Sequence, residues 1–117
     1  MKDGKHFFLV TADPKLEGSL RALWPEDEVK WTCFGRGTSA LEFLFSEPPD
    51  LLVVDERLPD LAGADLVRLI KGENVYRQLP VVLCLAGEDV AETLDFSTLE
   101  IDDFLIKPLS AATAKAR

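Results

Sequence analysis

Short apolar runs alternate with amphipathic stretches along the whole chain. The continuously apolar runs comprise residues 7–10, 51–54, 81–85 and 104–106. Runs of this length predict parallel strands that are covered on both faces. Residues 29–34 alternate apolar and polar positions, which is typical of an edge strand with one face in water. The pattern therefore predicts five strands.

Helical patterns fill the intervals between these strands. Asp13 and Pro14 predict the N-cap and first turn of a helix that ends at Trp24. Ser39 and Glu42 fit a capping box for a second helix. A third helix is predicted from an apolar stripe that follows Gly63 and contains Leu66, Val67, Leu69 and Ile70.

Residues 90–99 show a helical pattern that is weaker than the first three, and the last strand follows it. Strands and helices are therefore predicted to alternate along the whole chain. Alternation of this kind predicts an α/β domain with one doubly wound parallel sheet, helices on both faces and right-handed crossovers. Binding sites in such sheets form at the carboxyl ends of the strands. The last eight residues contain no large apolar side chain. We therefore expect residues 1–117 to be one domain of a longer protein.

Composition narrows the class of protein. The chain has 117 residues, of which 47% are hydrophobic and 29% charged, as in ordinary globular domains. A net charge of −8 argues against direct binding to nucleic acid. No apolar run approaches the roughly 20 residues that cross a bilayer, and the N-terminus lacks a signal peptide, so we expect a cytoplasmic protein. Cys33 and Cys84 are expected to be buried free thiols.

The strand ends carry the candidate chemistry. Reading them in chain order gives Thr11-Ala12-Asp13, Asp55-Glu56-Arg57, Leu85-Ala86 and Lys107-Pro108. Asp55 is followed by Pro59 four residues later and by Gly63 eight residues later. This spacing, together with Leu79-Pro80 before the fourth strand and Lys107-Pro108 after the fifth, resembles the receiver domain of bacterial response regulators over nearly the whole chain.

The resemblance implies a flavodoxin-like fold with the strand order 2-1-3-4-5. It also implies that Asp55 accepts a phosphoryl group, which Lys107 and Ala86 contact. Receivers hold Mg²⁺ with an acidic pair after the first strand, place a hydroxyl residue at the end of the fourth strand and an aromatic residue in the fifth. The ion is needed because a carboxylate that attacks a phosphoryl donor brings negative charge toward negative charge.

This chain departs from the receiver pattern where that chemistry is most demanding. Thr11 and Ala12 stand at the positions of the acidic pair, and Leu85 stands at the hydroxyl position. Phe104 keeps the aromatic ring without a phenol. The weak metal candidates that remain are Asp13, Asp55 and the backbone of Arg57, and the simplest role of Asp13 is to cap the first helix.

The remaining polar residues have competing interpretations. Asp55 is either a phosphoacceptor or a structural carboxylate that caps a turn or pairs with Lys107. The guanidinium of Arg57 is hypothesised to occupy the cation site. Glu56 is expected to point to the opposite face from Asp55. His6 lies ahead of the predicted first strand and is expected to have a surface or tag-like role.

The favoured function is that of a pseudo-receiver, a non-enzymatic protein interaction module that works without normal Mg²⁺-dependent aspartyl phosphorylation and needs no cofactor. Its partner would be a kinase, another signalling protein or an output domain. The docking face would comprise the fourth helix, fifth strand and fifth helix. That fourth helix carries apolar Val90, Leu94, Phe96 and Leu99 beside acidic Glu88, Asp89, Glu92 and Asp95.

Two alternatives stay open. A working receiver would be phosphorylated on Asp55 by a histidine kinase, with Mg²⁺ as its cofactor. A ligand-binding or enzymatic flavodoxin-like protein is disfavoured, because residues 11–14 contain no glycine that could form a phosphate loop. No arrangement of serine, histidine and acid indicates nucleophilic catalysis either.

Overall fold

Strands and helices alternate in the computed structural model, which describes residues 5–24, 29–44, 46–73, 76, 78–85, 101 and 103–106. Its elements are β1 (Lys5–Val10), α1 (Pro14–Leu23), β2 (Val29–Phe34), α2 (Gly37–Leu44), β3 (Leu51–Asp55), α3 (Gly63–Lys71), β4 (Val81–Leu85) and β5 (Asp103–Ile106). The helix predicted over residues 90–99 and the C-terminal tail lie outside the described residues.

The strands form one parallel sheet with the order β2-β1-β3-β4-β5. The flavodoxin-like order 2-1-3-4 predicted for the first four strands is confirmed. Beside β4, the short β5 places Ile106 opposite Leu85. Because all these pairings are parallel, the carboxyl ends of β1, β3 and β4 meet at one edge of the sheet, where the candidate chemistry is expected.

Two apolar clusters cover the two faces of the sheet. On one face, Leu16 and Leu20 of α1 pack with Trp31 and Leu105. On the other face, the buried side chains of α2 and α3 pack over the central strands in a larger cluster. Helices therefore cover both faces, which explains why the central strands are apolar at nearly every position.

The edge strand β2 follows its predicted alternation at its start. Val29 and Trp31 are buried, whereas Lys30 between them is exposed. The indole nitrogen of Trp31 donates a hydrogen bond of 3.0 Å to the carbonyl oxygen of Trp24, just after α1. One face of β2 thus packs against α1, while the exposure of Lys30 agrees with the predicted edge strand.

The start of α1 is confirmed and the start of α2 is corrected. The side chain of Asp13 accepts a hydrogen bond of 2.9 Å from the amide of Lys15, and Pro14 begins the helix. The capping box at Ser39 is wrong, because α2 begins two residues earlier at Gly37. The amides of its first turn bond instead to the distant Asp60. A local pattern cannot reveal a cap that the tertiary fold supplies.

The apolar stripe of α3 is confirmed in part. Leu66, Val67 and Ile70 are buried, but Leu69 is 57% exposed. At about 100° per residue, Leu66, Ile70 and Val67 fall within an arc of about 100° that faces the core, and Leu69 lies about 60° outside that arc. At the end of α3, the buried amine of Lys71 donates a hydrogen bond to the carbonyl oxygen of Leu79.

The expected surface role of His6 is wrong. β1 begins at Lys5, so His6 lies within the strand and is half-buried. Its Nε2 atom lies 2.7 Å from the hydroxyl oxygen of Thr32, and its ring meets Phe8 edge-on. The apolar run alone does not reveal this extension, because the extra residues join the strand by pairing with β2.

Both cysteines are free thiols, and Cys84 is buried whereas Cys33 is only half-buried. Within the described ranges, every helix is too short or too polar to cross a membrane.

Candidate functional site

Asp55 lies at the carboxyl edge of the sheet, as the last residue of β3. It is only 3% exposed, although it carries a carboxylate. The parallel register places Val10 opposite Val54, so that Thr11 after β1 comes beside Asp55. The topology thus brings together two residues that are 44 positions apart in the sequence.

A hydrogen bond joins these two side chains directly. The hydroxyl of Thr11 donates to Oδ2 of Asp55 over 2.6 Å, and the bond is buried. The same hydroxyl oxygen accepts a bond of 3.0 Å from the amide of Asp13, at the start of α1. The amide of Thr11 in turn donates to the carbonyl oxygen of Phe34 over 2.9 Å. Hydrogen bonds from and to its neighbours therefore fix the position of Thr11, whose hydroxyl donates to Asp55.

The backbone that follows Asp55 turns back toward its carboxylate. The amide of Arg57 lies 3.5 Å from Oδ1 of Asp55, while the Arg57 residue itself is exposed. The amide of Glu56 donates to the carbonyl oxygen of Cys84 over 2.9 Å, which extends the pairing with β4 by one residue. The contact that the structure shows between Arg57 and Asp55 is thus made by the backbone.

Gly63 lies at the end of this turn, at a position where a side chain would have no room. A Cβ atom at position 63 would collide with the carbonyl oxygen of Asp55 and would lie 2.9 Å from Cα of Glu56. The amide of Gly63 donates a hydrogen bond of 2.8 Å to the carbonyl oxygen of Glu56. The eight-residue spacing between Asp55 and Gly63 therefore has a steric cause in this chain.

Asp60 is a site residue that the sequence analysis missed. Its two carboxylate oxygens accept hydrogen bonds of 3.0 Å each from the amides of Gly37 and Thr38. A hydrogen bond from the backbone amide of Thr38, and a weaker effect of the one from Gly37, lower the pKa of Asp60 to about 2. A signal was present in the sequence, because the Arg36 side chain before α2 has no hydrogen-bond acceptor, so the first-turn amides need an acceptor from elsewhere.

The other positions predicted for the site differ in environment. Leu85 is fully buried in the core and Ala12 is exposed. Phe104 belongs to β5. Ala86 and Lys107 lie outside the described residues.

The described donors do not fit a bound Mg²⁺ ion. Magnesium requires near-octahedral coordination by hard oxygen ligands. At this edge the carboxylate of Asp13 caps α1, the Thr11 hydroxyl donates a hydrogen bond to Asp55, and Ala12 has no side-chain oxygen. Across the described part of the chain, no three His, Cys, Asp or Glu residues form a group that could hold a metal ion.

Comparisons with known proteins identify the family of this chain. The family model described as "Response regulator receiver domain" matches residues 7–117. Sensor histidine kinase TmoS of Ectopseudomonas mendocina is 31% identical over 111 residues, which cover 83% of this chain and 11% of the kinase. The probable transcriptional regulatory protein TcrX of Mycobacterium tuberculosis is 35% identical over 79 residues, or 68% of this chain and 33% of TcrX. The chain thus spans a third or less of these two relatives.

Solved structures show the same fold. A putative response regulator from Chloroflexus aurantiacus superimposes with a TM-score of 0.89 at 20% identity, over 98% of this chain and 94% of the other. The receiver domain of a signal transduction histidine kinase from Syntrophus aciditrophicus gives a TM-score of 0.81 at 26% identity, over 97% and 86% of the two chains.

Proposed function

This chain belongs to the response regulator receiver domain family, and we propose that it is a pseudo-receiver, an interaction module that works without normal Mg²⁺-dependent phosphorylation of Asp55. The observation that carries this proposal is the buried hydrogen bond of 2.6 Å from Thr11 to Asp55. It gives the carboxylate a neutral donor at a position where receivers place a metal-binding acid.

The environment of Asp55 is poorly suited to phosphoryl transfer. The incoming phosphoryl group is negatively charged, so its transfer requires a cation and fixed donors that stabilise the developing charge. Thr11 brings no charge, and Leu85 at the end of β4 has no donor to offer. A single lysine such as Lys107 could supply one positive charge but not the fixed coordination of a metal ion.

The partner in this proposal is a protein of two-component signalling, either a histidine kinase, another signalling protein or an output domain. The net charge of −8 disfavours nucleic acid as a direct partner. Docking would use the face predicted for the fourth helix, the fifth strand (Asp103–Ile106) and the fifth helix. The acidic and apolar residues of the fourth helix, which lie outside the described residues, would contribute. We expect this activity in the cytoplasm.

The second candidate is a working receiver that a histidine kinase phosphorylates on Asp55 with Mg²⁺. It is favoured by the position of Asp55, which lies at the carboxyl end of β3 with the amide of Arg57 close to its second oxygen. In the sequence, Lys107 directly follows β5.

Titration with Mg²⁺ and then beryllofluoride, followed by NMR, separates the two candidates. Beryllofluoride stands in for a phosphoryl group on an aspartate. In a pseudo-receiver, the amide signals of Thr11, Asp55 and Leu85 stay unchanged at millimolar metal. Saturable shifts that disappear in Asp55→Asn would establish the working receiver instead.

A gain-of-function variant provides the matched control. Thr11→Asp combined with Ala12→Asp restores an acidic pair after β1, and we expect this variant to bind Mg²⁺ with shifts centred on Asp55. The shifts should disappear when Asp55→Asn is added. If the restored pair still fails to bind the ion, the loss of metal binding cannot be assigned to positions 11 and 12.

A further inference from the structure

The segment between β3 and α3, residues 56–62, is closed at its base and is called the strap below. Gly63 donates to the carbonyl oxygen of Glu56, and Arg57 and Ala62 form an antiparallel bridge. The carbonyl oxygen of Asp55 lies against Gly63 without room for a methyl group. The base of the strap is therefore packed directly against the backbone of Asp55.

The far end of the strap is fastened to α2. The carboxylate of Asp60 accepts both first-turn amides, those of Gly37 and Thr38, at 3.0 Å. These contacts join residues more than 20 positions apart in the sequence. A carboxylate at a helix N-terminus also interacts favourably with the partial positive charge there. Two charge-assisted bonds and the helix dipole thus hold this end of the strap in place.

Apolar contacts reinforce the same junction. Leu58 and Leu61 are half-buried and pack against the larger core cluster. A Cβ atom at position 37 would collide with the side chain of Leu61 and lie 3.5 Å from Leu58. The strap therefore sits on the first turn of α2 through both polar and apolar contacts.

The link between the strap and the Asp55 carboxylate is of a different kind. The amide of Arg57 approaches Oδ1 over 3.5 Å, which is long for a hydrogen bond. Such a contact depends mainly on the negative charge of the carboxylate. A change at Asp55 therefore alters a contact at the start of the strap, and Asp60 further along the strap is bound to α2.

We propose that the strap is a conformational coupling device, in which the state of the Asp55 carboxylate sets the position of the strap and Asp60 transmits that change to the first turn of α2. Any event that alters the charge of Asp55, including substitution, would then be detected at α2. The coupling goes beyond the proposed function and does not require that Asp55 bind a metal ion or a phosphoryl group.

The test follows the amide NMR signals of Gly37 and Thr38 in the chain. Asp55→Asn removes the charge at nearly constant shape, and we expect it to shift both signals. In the Asp60→Ala background the same substitution should no longer shift them, because the transmitting carboxylate is absent. Asp60→Asn, which retains one acceptor oxygen, should restore part of the response.

Asp65→Asn is the matched control for charge. Asp65 is an exposed carboxylate of α3 that pairs with Arg68 at 3.0 Å, so its neutralisation should leave the signals of Gly37 and Thr38 in place. Core amides such as that of Val53 report whether each variant is folded. If Asp60→Ala does not fold, Leu61→Ala weakens the same junction and should reduce the response.

Two results would overturn the coupling. One is an equal shift at Gly37 and Thr38 with and without the Asp60 carboxylate, which would mean that the change travels by another route. The other is no shift in any background. No metal or phosphoryl analogue is added in this experiment, so neither result bears on the proposed function. That function is tested separately by the Mg²⁺ and beryllofluoride titration.

Discussion

The hydroxyl of Thr11 donates a buried hydrogen bond of 2.6 Å to the carboxylate of Asp55. Both residues are almost fully buried, with exposures of 6% and 3%. A buried carboxylate is costly unless it is hydrogen-bonded, so each donor that it keeps contributes to stability. Thr11 is therefore expected to stabilise the protein through Asp55.

Thr11→Val should destabilise the protein by about 1.5–3 kcal/mol, the range for a hydrogen bond to a charged group. Urea denaturation measures the free energy of unfolding. Thr11→Ser keeps the hydroxyl and should lose much less. In an Asp55→Asn background the cost of Thr11→Val should be smaller, because the buried charge is gone. Equal stability of the Val and Ser variants would show that the hydrogen bond does not contribute.

Gly63→Ala should destabilise the protein by about 1–3 kcal/mol, the usual cost of overpacking. The added methyl group meets backbone atoms of Asp55 and Glu56, which cannot move aside as a flexible side chain can. Gly18→Ala is the matched control, because a Cβ atom there has nothing within 4 Å. Gly18 lies within α1, so this substitution should stabilise by about 0.5–1 kcal/mol. Chemical denaturation of both variants measures the change in the free energy of unfolding. An unchanged value for Gly63→Ala would contradict the steric explanation.

Asp60 should make the protein less stable as the pH falls from about 4 to about 2. Its pKa in the fold is about 2, below the ordinary value of 3.8, because the amides of Thr38 and Gly37 stabilise the charged form. A carboxylate whose pKa is lowered in the fold stabilises the protein at pH values above its ordinary pKa. This stabilisation is lost as the pH falls and the carboxylate is protonated.

Thermal midpoints measured between pH 2 and pH 5 would test the contribution of Asp60. Asp60→Asn, which cannot titrate, should flatten the dependence in this window, whereas Asp65→Asn should leave it nearly as steep. An unchanged slope in Asp60→Asn would mean that its bonds to α2 are not present in solution.

The two cysteines should differ in reactivity toward a thiol reagent. Cys33 is half-buried and Cys84 is buried, so only Cys33 should react in the native protein. Burial raises the pKa of Cys33, partly offset by a hydrogen bond from Arg21, so its reaction should be slow near neutral pH. Cys33→Ser should abolish the native reaction, and Cys84→Ser should preserve it. Equal native rates for both thiols would contradict this assignment.

Much of the fold was predictable because its elements depend on local chemistry. The apolar runs predict β1, β3 and β4 closely, since a strand that is covered on both faces must be apolar at successive positions. Asp13 and Pro14 predict the start of α1, because the cap and the first turn are neighbours in the sequence. Where the partner is distant the prediction fails, as for Ser39 at α2 and for His6 in β1.

The site divides in the same way. The sequence alone predicts that Asp55 follows the third strand, and its resemblance to receivers predicts that Thr11, Ala12 and Leu85 stand at the metal- and phosphoryl-binding positions. Only the tertiary structure decides that the Thr11 hydroxyl bonds to Asp55, that Asp60 caps α2 and that Gly63 packs on the Asp55 carbonyl. These contacts join segments far apart in the sequence. Local patterns encode which residues are buried and where helices and strands begin, whereas the register between strands and the path of a loop determine which distant polar atoms come within bonding distance.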